Sequence, residues 1–239
     1  MGKSFFSFLA GFAILFSVYH FPEFFPVFWI MAVFKIGFLL VALAVARLQG
    51  WRGLGGYGLG LQNDWVQHLL KGLLAGAIFF SLSVLASVLL GYEQITGVAS
   101  AGAILQQLPL LLLMTVFPSI AEDILTRGYL YGHLAEKMKP ATWVLVSALV
   151  YVLNHIWRLS DDPSVLTYLF ILGLVLALVV WQTKALWLAF GIHWGANIAF
   201  EASHSFLKTR SVVTHHGNTW LLAISWLLLF LLLAYGQKK

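Results

Sequence analysis

The chain has 239 residues, of which 61% are hydrophobic and only 10% charged, with a mean hydropathy of +0.89. Soluble domains carry about 25% charged residues, so this composition excludes a soluble globular protein and implies an integral membrane one. The formal net charge of +5 does not point to nucleic acid, because the basic residues are scattered between apolar runs as orientation signals and contacts to anionic lipid. Cysteine is absent, which excludes disulfides and thiol chemistry.

A helix crosses a bilayer with roughly 17 to 25 apolar residues. Eight such spans are expected, at 4–19, 26–46, 66–90, 108–136, 141–157, 165–182, 185–206 and 220–235. Lys3 ahead of an apolar core resembles a signal peptide, but SVYHFPEFF offers no small-residue cleavage site, so an uncleaved first helix is expected. The loop WRGLGGYGLG contains a literal G-x-G-x-x-G from Gly53 to Gly58. That pattern binds phosphate only between a strand and a helix. Here it follows a span and reads as a flexible connection, with Trp51 and Tyr57 resting at the membrane interface. Pro109 and Pro118 are candidates to break the fourth span. No connection is long enough to hold a soluble domain. The expectation is therefore one membrane domain over 1–239, an all-α polytopic bundle of about eight helices around an intramembrane polar site.

If the chain starts in the cytoplasm, that side collects Lys3, Arg47, Arg52, Lys71, Lys137, Lys139, Lys184, Lys238 and Lys239, against Arg158, Lys208 and Arg210 on the other. This bias predicts cytoplasmic N- and C-termini in a multi-pass protein of the cell membrane.

Polar residues inside spans are costly and normally face a partner or a wet cavity. PSIAEDILTRGYL places Glu122, Asp123 and Arg127 on the fourth span. LVYVLNHIW puts Asn154 and His155 near the end of the fifth. FGIHWGANIAFEAS puts His193, Asn197 and Glu201 on one face of the seventh, at spacings of four. Spans four and five turn near 137–140, and Glu122 and His155 each lie fifteen residues from that turn, so both sit roughly 22 Å from it. Counted from Lys184, His193 and Asn197 sit roughly 14 and 20 Å deep. Three helices thus bring a carboxylate, two imidazoles and a carboxamide to a similar depth, and the site is expected to be reached from the Lys137 and Lys184 side.

Each residue also has a purely structural use. Glu122 or Asp123 can neutralise Arg127, and His155 and Asn197 can serve as hydrogen-bonded contacts between helices. The agreement in depth, and the acid left over once Arg127 is paired, favour a joint site.

Together, Glu122-Asp123-x-x-x-Arg127, Tyr151-x-x-x-His155 and His193-x-x-x-Asn197 resemble the three ordered motifs of the CPBP (Abi) intramembrane proteases, E-E-x-x-x-R, F-x-x-x-H and H-x-x-x-N. That family comprises CAAX-processing endopeptidases and bacteriocin-processing or immunity proteins. The resemblance covers approximately 66–206, and departs from the family pattern where Asp123 replaces the second Glu and Tyr151 the Phe. It implies an intramembrane metalloendopeptidase acting on a membrane-associated, prenylated or leader peptide. In that reading Glu122 is the general base, and Asp123 and Arg127 form a structural ion pair that keeps Arg127 from neutralising Glu122. His155 shares the water with Glu122 or binds a metal, and His193 and Asn197 complete the metal shell or donate to the oxyanion. Tyr151 stands behind them and adds a hydroxyl to the family's ring. The resemblance implies zinc on Glu122, His155 and His193, although a metal-free glutamate mechanism is also compatible with these residues.

Two other classes use such residues. A non-catalytic immunity or scaffold protein would keep the fold, and a proton-coupled transporter would use the Glu and His residues as a relay. Lys35, an intramembrane charge, has Glu201 or a lipid phosphate as candidate partner. His204, His215 and His216 read as solvated surface residues.

Overall fold

The computed structural model describes residues 5–25, 27–62 and 64–236. The first two expected spans begin at Ser4 and Pro26, which lie outside these residues, as do the orientation residues Lys3, Lys238 and Lys239. Helices α1 (Phe5–His20), α2 (Phe28–Leu48) and α3 (Trp65–Leu89) lead to a short strand, β1 (Glu93–Ile95). Helix α4 (Ala101–Asp123) continues through a π-helical turn (Ile124–Gly128) into α5 (Tyr129–Leu134). Then come α6 (Pro140–Asn154), α7 (Pro163–Thr183), α8 (Trp187–Ser205), β2 (Thr209–Ser211) and α9 (Gly217–Tyr235). With α4 to α5 counted as one segment, all eight expected helical segments are present. Among the described residues six segments are long and apolar enough to cross a membrane; α8, the expected seventh span, is not one of them, and α6, at 15 residues, is a shorter apolar helix. Large apolar side chains such as Leu40, Leu74 and Leu105 point outward, as they do where lipid rather than water surrounds a bundle.

Pro109 and Pro118 lie inside α4 without ending it. The irregularity falls later, in the π turn, directly after Glu122 and Asp123. Such turns re-aim the side chains around them and recur at functional sites.

Close packing of α3 on α8 positions the core. Gly72 and Gly76 face Gly191 and Gly195, and a Cβ on Gly72 would lie 2.5 Å from the Leu188 carbonyl oxygen. Only glycine lets the backbones approach this closely. His193 therefore sits between the two glycines by which α8 packs on α3.

The helix ends form two faces. At the first, Gln49 donates to the Ser7 carbonyl and to the Tyr129 hydroxyl, and the Leu186 amide donates to the Gly58 carbonyl. At the second, β1 and β2 pair antiparallel with Gln94 opposite Arg210, and Asn218 donates to Glu93. The Gly-rich loop belongs to the first face and is not the flexible interfacial connection its composition suggests. Tyr57 is fully buried, donates to the Ala42 carbonyl and packs on Tyr129, while a Cβ on Gly128 would lie 2.8 Å from the Tyr57 carbonyl oxygen.

Candidate active site

Helix α6, the fifth expected span, stops earlier than expected, at Asn154, and the reason lies in His155. Its amide donates to Val152 rather than to Tyr151, and its imidazole Nδ1 takes the Tyr151 carbonyl at 2.8 Å. The side chain thus replaces its own backbone amide as the partner of a helix-terminal carbonyl. The bond also makes Nδ1 the donor, so in the neutral ring Nε2 is an acceptor. That Nε2 stands 3.5 Å from Glu122 Oε1.

His193 is fixed in the same way by a different partner. Its Nδ1 lies 2.9 Å from Asp123 Oδ1, and its Nε2 lies 3.6 Å from Glu122 Oε2. Asp123 Oδ1 also accepts from Arg127 Nη1, and both members of that ion pair are fully buried. The guanidinium lies 4.7 Å from the Tyr151 ring centroid, and the same ring stands edge-on to His155 and His193. Tyr151 is thereby a wall shared by both imidazoles and the arginine.

Glu122, Asp123, Arg127, Tyr151, His155 and His193 therefore converge, and for Glu122, His155 and His193 the similar depth followed from the rise along their helices. Asn197 is placed differently. It lines the cavity, but its carboxamide donates to Ser119 Oγ at 2.9 Å, one turn before Glu122. Ser119 in turn donates to the Thr115 carbonyl. Glu201 is exposed and leaves the site, because the face that carries His193 and Asn197 turns outward towards the end of α8. Lys35 meets Glu23 rather than the candidate partner Glu201. Its Nζ donates to the Tyr19 carbonyl at 3.0 Å and lies 3.5 Å from Glu23 Oε1. His204 lies at the cavity rim, while His215 and His216 are exposed.

Sequence reasoning singled out Asn154 beside His155 but gave it no role in the site. It is buried, and its Nδ2 donates to Glu122 Oε1 at 3.1 Å. Its place beside His155 in an otherwise apolar helix end was the available signal.

A cavity of about 320 Å³ contains Glu122, Tyr151, His155 and His193 and extends to Glu93, Arg158, His204 and Asn218. These last residues belong to the second face. The site does not open towards Lys137 and Lys184 as the sequence suggested. On that side Tyr57, Trp143 and Leu186 are fully buried.

The donor chemistry suits a small cation or a water molecule. Two imidazole acceptors face the two oxygens of one carboxylate, and a group bearing protons or positive charge placed between them would meet both rings and the carboxylate. Two His nitrogens and a carboxylate oxygen are zinc ligands, and each imidazole has its other nitrogen held by an acceptor, the usual support of a metal-bound His. Among the described residues, however, no three His, Cys, Asp or Glu side chains form a ready-made metal cluster.

No curated protein matches the chain. Residues 104–199, which contain all three motifs, match the family model of the Rce1-like type II CAAX prenyl endopeptidases, consistent with the CPBP family that those motifs resemble.

Proposed function

We propose that this multi-pass membrane protein is an intramembrane endopeptidase that cleaves a membrane-associated, lipidated or leader peptide with Glu122 as general base. The observation that supports it is the buried Glu122 carboxylate flanked by His155 Nε2 at 3.5 Å and His193 Nε2 at 3.6 Å, at the inner end of a cavity.

In this reading a water held between Glu122 and His155 gives its proton to Glu122 as its oxygen attacks the scissile carbonyl. The developing oxyanion accepts from Asn197, whose carboxamide has a second N–H besides the one given to Ser119. Glu122 then passes the proton to the departing amine. The C–N bond breaks, a C–O bond forms, and a carboxylate and an amine leave. His193, turned by Asp123, closes the other side of Glu122. Glu122, His155 and His193 would hold a zinc ion, which when bound supplies acidification of the attacking water.

Cleavage of a fluorogenic farnesylated CAAX peptide, and of the same peptide without the farnesyl group, tests this with purified protein in lipid nanodiscs. Wild type should turn over at least one of them. Glu122→Gln should lose at least about 100-fold in kcat, the scale of general base catalysis, with an unchanged melting temperature. Turnover by Glu122→Gln at the wild-type rate would overturn the assignment, and a folded wild type inert to both peptides would favour the non-catalytic scaffold.

A further inference from the structure

The Glu122 carboxylate is tied to a chain of polar side chains that leaves residues 104–199. Asn154 Nδ2 donates to Glu122 Oε1, and Asn154 Oδ1 lies 3.1 Å from His20 Nε2. His20 Nδ1 lies 2.6 Å from Glu23 Oε2. Glu23 is also met by Trp157 Nε1 at 3.0 Å and by the Lys35 ammonium. His20, Lys35 and Asn154 are all buried.

The donors and acceptors along this chain can be arranged in one consistent way. An ionised carboxylate only accepts, so the Asn154 amino group must face Glu122 and its carbonyl oxygen must face His20. His20 Nε2 is then required to donate, and because the Glu23 carboxylate also only accepts, Nδ1 donates as well, so the ring bears an N–H on each side. A reversed carboxamide would set its oxygen against the Glu122 anion. What holds the carboxamide the right way round is the N–H of His20, and what holds His20 is Glu23 on its other nitrogen, with the Phe16 ring 4.3 Å away, centroid to centroid.

We infer that His20 is a positioning residue for Glu122, acting through the Asn154 carboxamide. This rests on the reading of Glu122 as the base. It extends the site into α1, which lies before the segment that matches the family, and gives the first helical hairpin a catalytic purpose. Glu122 Oε1 is pinned by Asn154, so Oε2 stays directed at His193 and the carboxylate keeps one orientation between the two imidazoles. Glu23 and Lys35 form the far end of the same device, which explains a charge pair where α1 turns into α2.

Two substitutions separate the nitrogens of His20. Glutamine sets an N–H near the position of Nε2, within reach of Asn154, whereas asparagine mimics Nδ1 and reaches only Glu23. The full-length variants His20→Gln, His20→Asn and His20→Phe are assayed in nanodiscs on whichever CAAX peptide the wild type cleaves. His20→Gln should keep kcat within about threefold, while His20→Asn and His20→Phe should lose at least about tenfold in kcat with KM little changed, the pattern of a lost interaction at the chemical step. A role in packing alone predicts the reverse order, because phenylalanine preserves the ring, and that order would overturn the inference. So would His20→Asn at the wild-type rate. Infrared spectra add a readout that does not depend on turnover. The carboxylate band lost in Glu122→Gln should shift in His20→Asn and stay in place in His20→Gln. If Glu122→Gln proves active, the base assignment fails, while the band still reports whether His20 positions Glu122; an unmoved band in His20→Asn rejects the inference itself.

Discussion

His193 Nδ1 lies 2.9 Å from the same Asp123 oxygen that accepts from Arg127. The second acid of the first motif thus holds an imidazole and a guanidinium at once. The imidazole contact leaves Nε2 of His193 3.6 Å from Glu122 Oε2. An aspartate in place of the family's glutamate is consistent with this double role, since its shorter arm meets both partners from the residue just before the π turn.

Breaking the pair should cost folding as well as activity. Arg127→Ala leaves Asp123 buried without its cation, a loss of about 3–5 kcal/mol where one partner of a buried pair is removed. Thermal melts in detergent should show a clear destabilisation and a reduced folded yield, whereas Glu122→Gln melts with the wild type. Equal melting of Arg127→Ala and wild type would remove the structural role.

The glycine contact between α3 and α8 should tolerate no bulk. Gly76→Leu and Gly195→Leu push the helices apart, at a cost of at least about 1–3 kcal/mol for overpacking. Both variants should lose folded protein on size-exclusion chromatography. A leucine at exposed Gly102, which has no neighbour in reach of a Cβ, should leave the elution profile unchanged.

Access to the cavity follows the second face. The cysteine-free chain allows single-cysteine labelling. With the basic face cytoplasmic, Thr219→Cys, on the cavity wall, should react with an impermeant maleimide applied to intact cells, and Lys137→Cys only in inside-out vesicles. The opposite pattern would invert the orientation while leaving the cavity where it is.

Metal content is measurable directly. Wild-type protein should carry stoichiometric zinc by mass spectrometry, and His155→Ala or His193→Ala should lower it. Chelation should abolish turnover and zinc should restore it, since removing the metal removes the acidified water. A fully active preparation with far less than one metal per chain would leave Glu122 and His155 to activate water alone.

Much of this was legible in the sequence. Apolar run length is a local property, and in lipid the backbone must satisfy its own hydrogen bonds, so eight runs became eight helical segments. The level of Glu122, His155 and His193 followed from the constant rise of a helix. What the tertiary structure decided depends on azimuth and on where helices end. Glu201 left the site because its position on α8 faces outward. His155 ended α6 by taking over a backbone carbonyl, which also fixed its tautomer. Asn154, Ser119 and His20 gained their places from neighbours far away in the chain. The direction of the cavity was decided by which face the aromatic side chains fill, and no spacing along the chain encodes that.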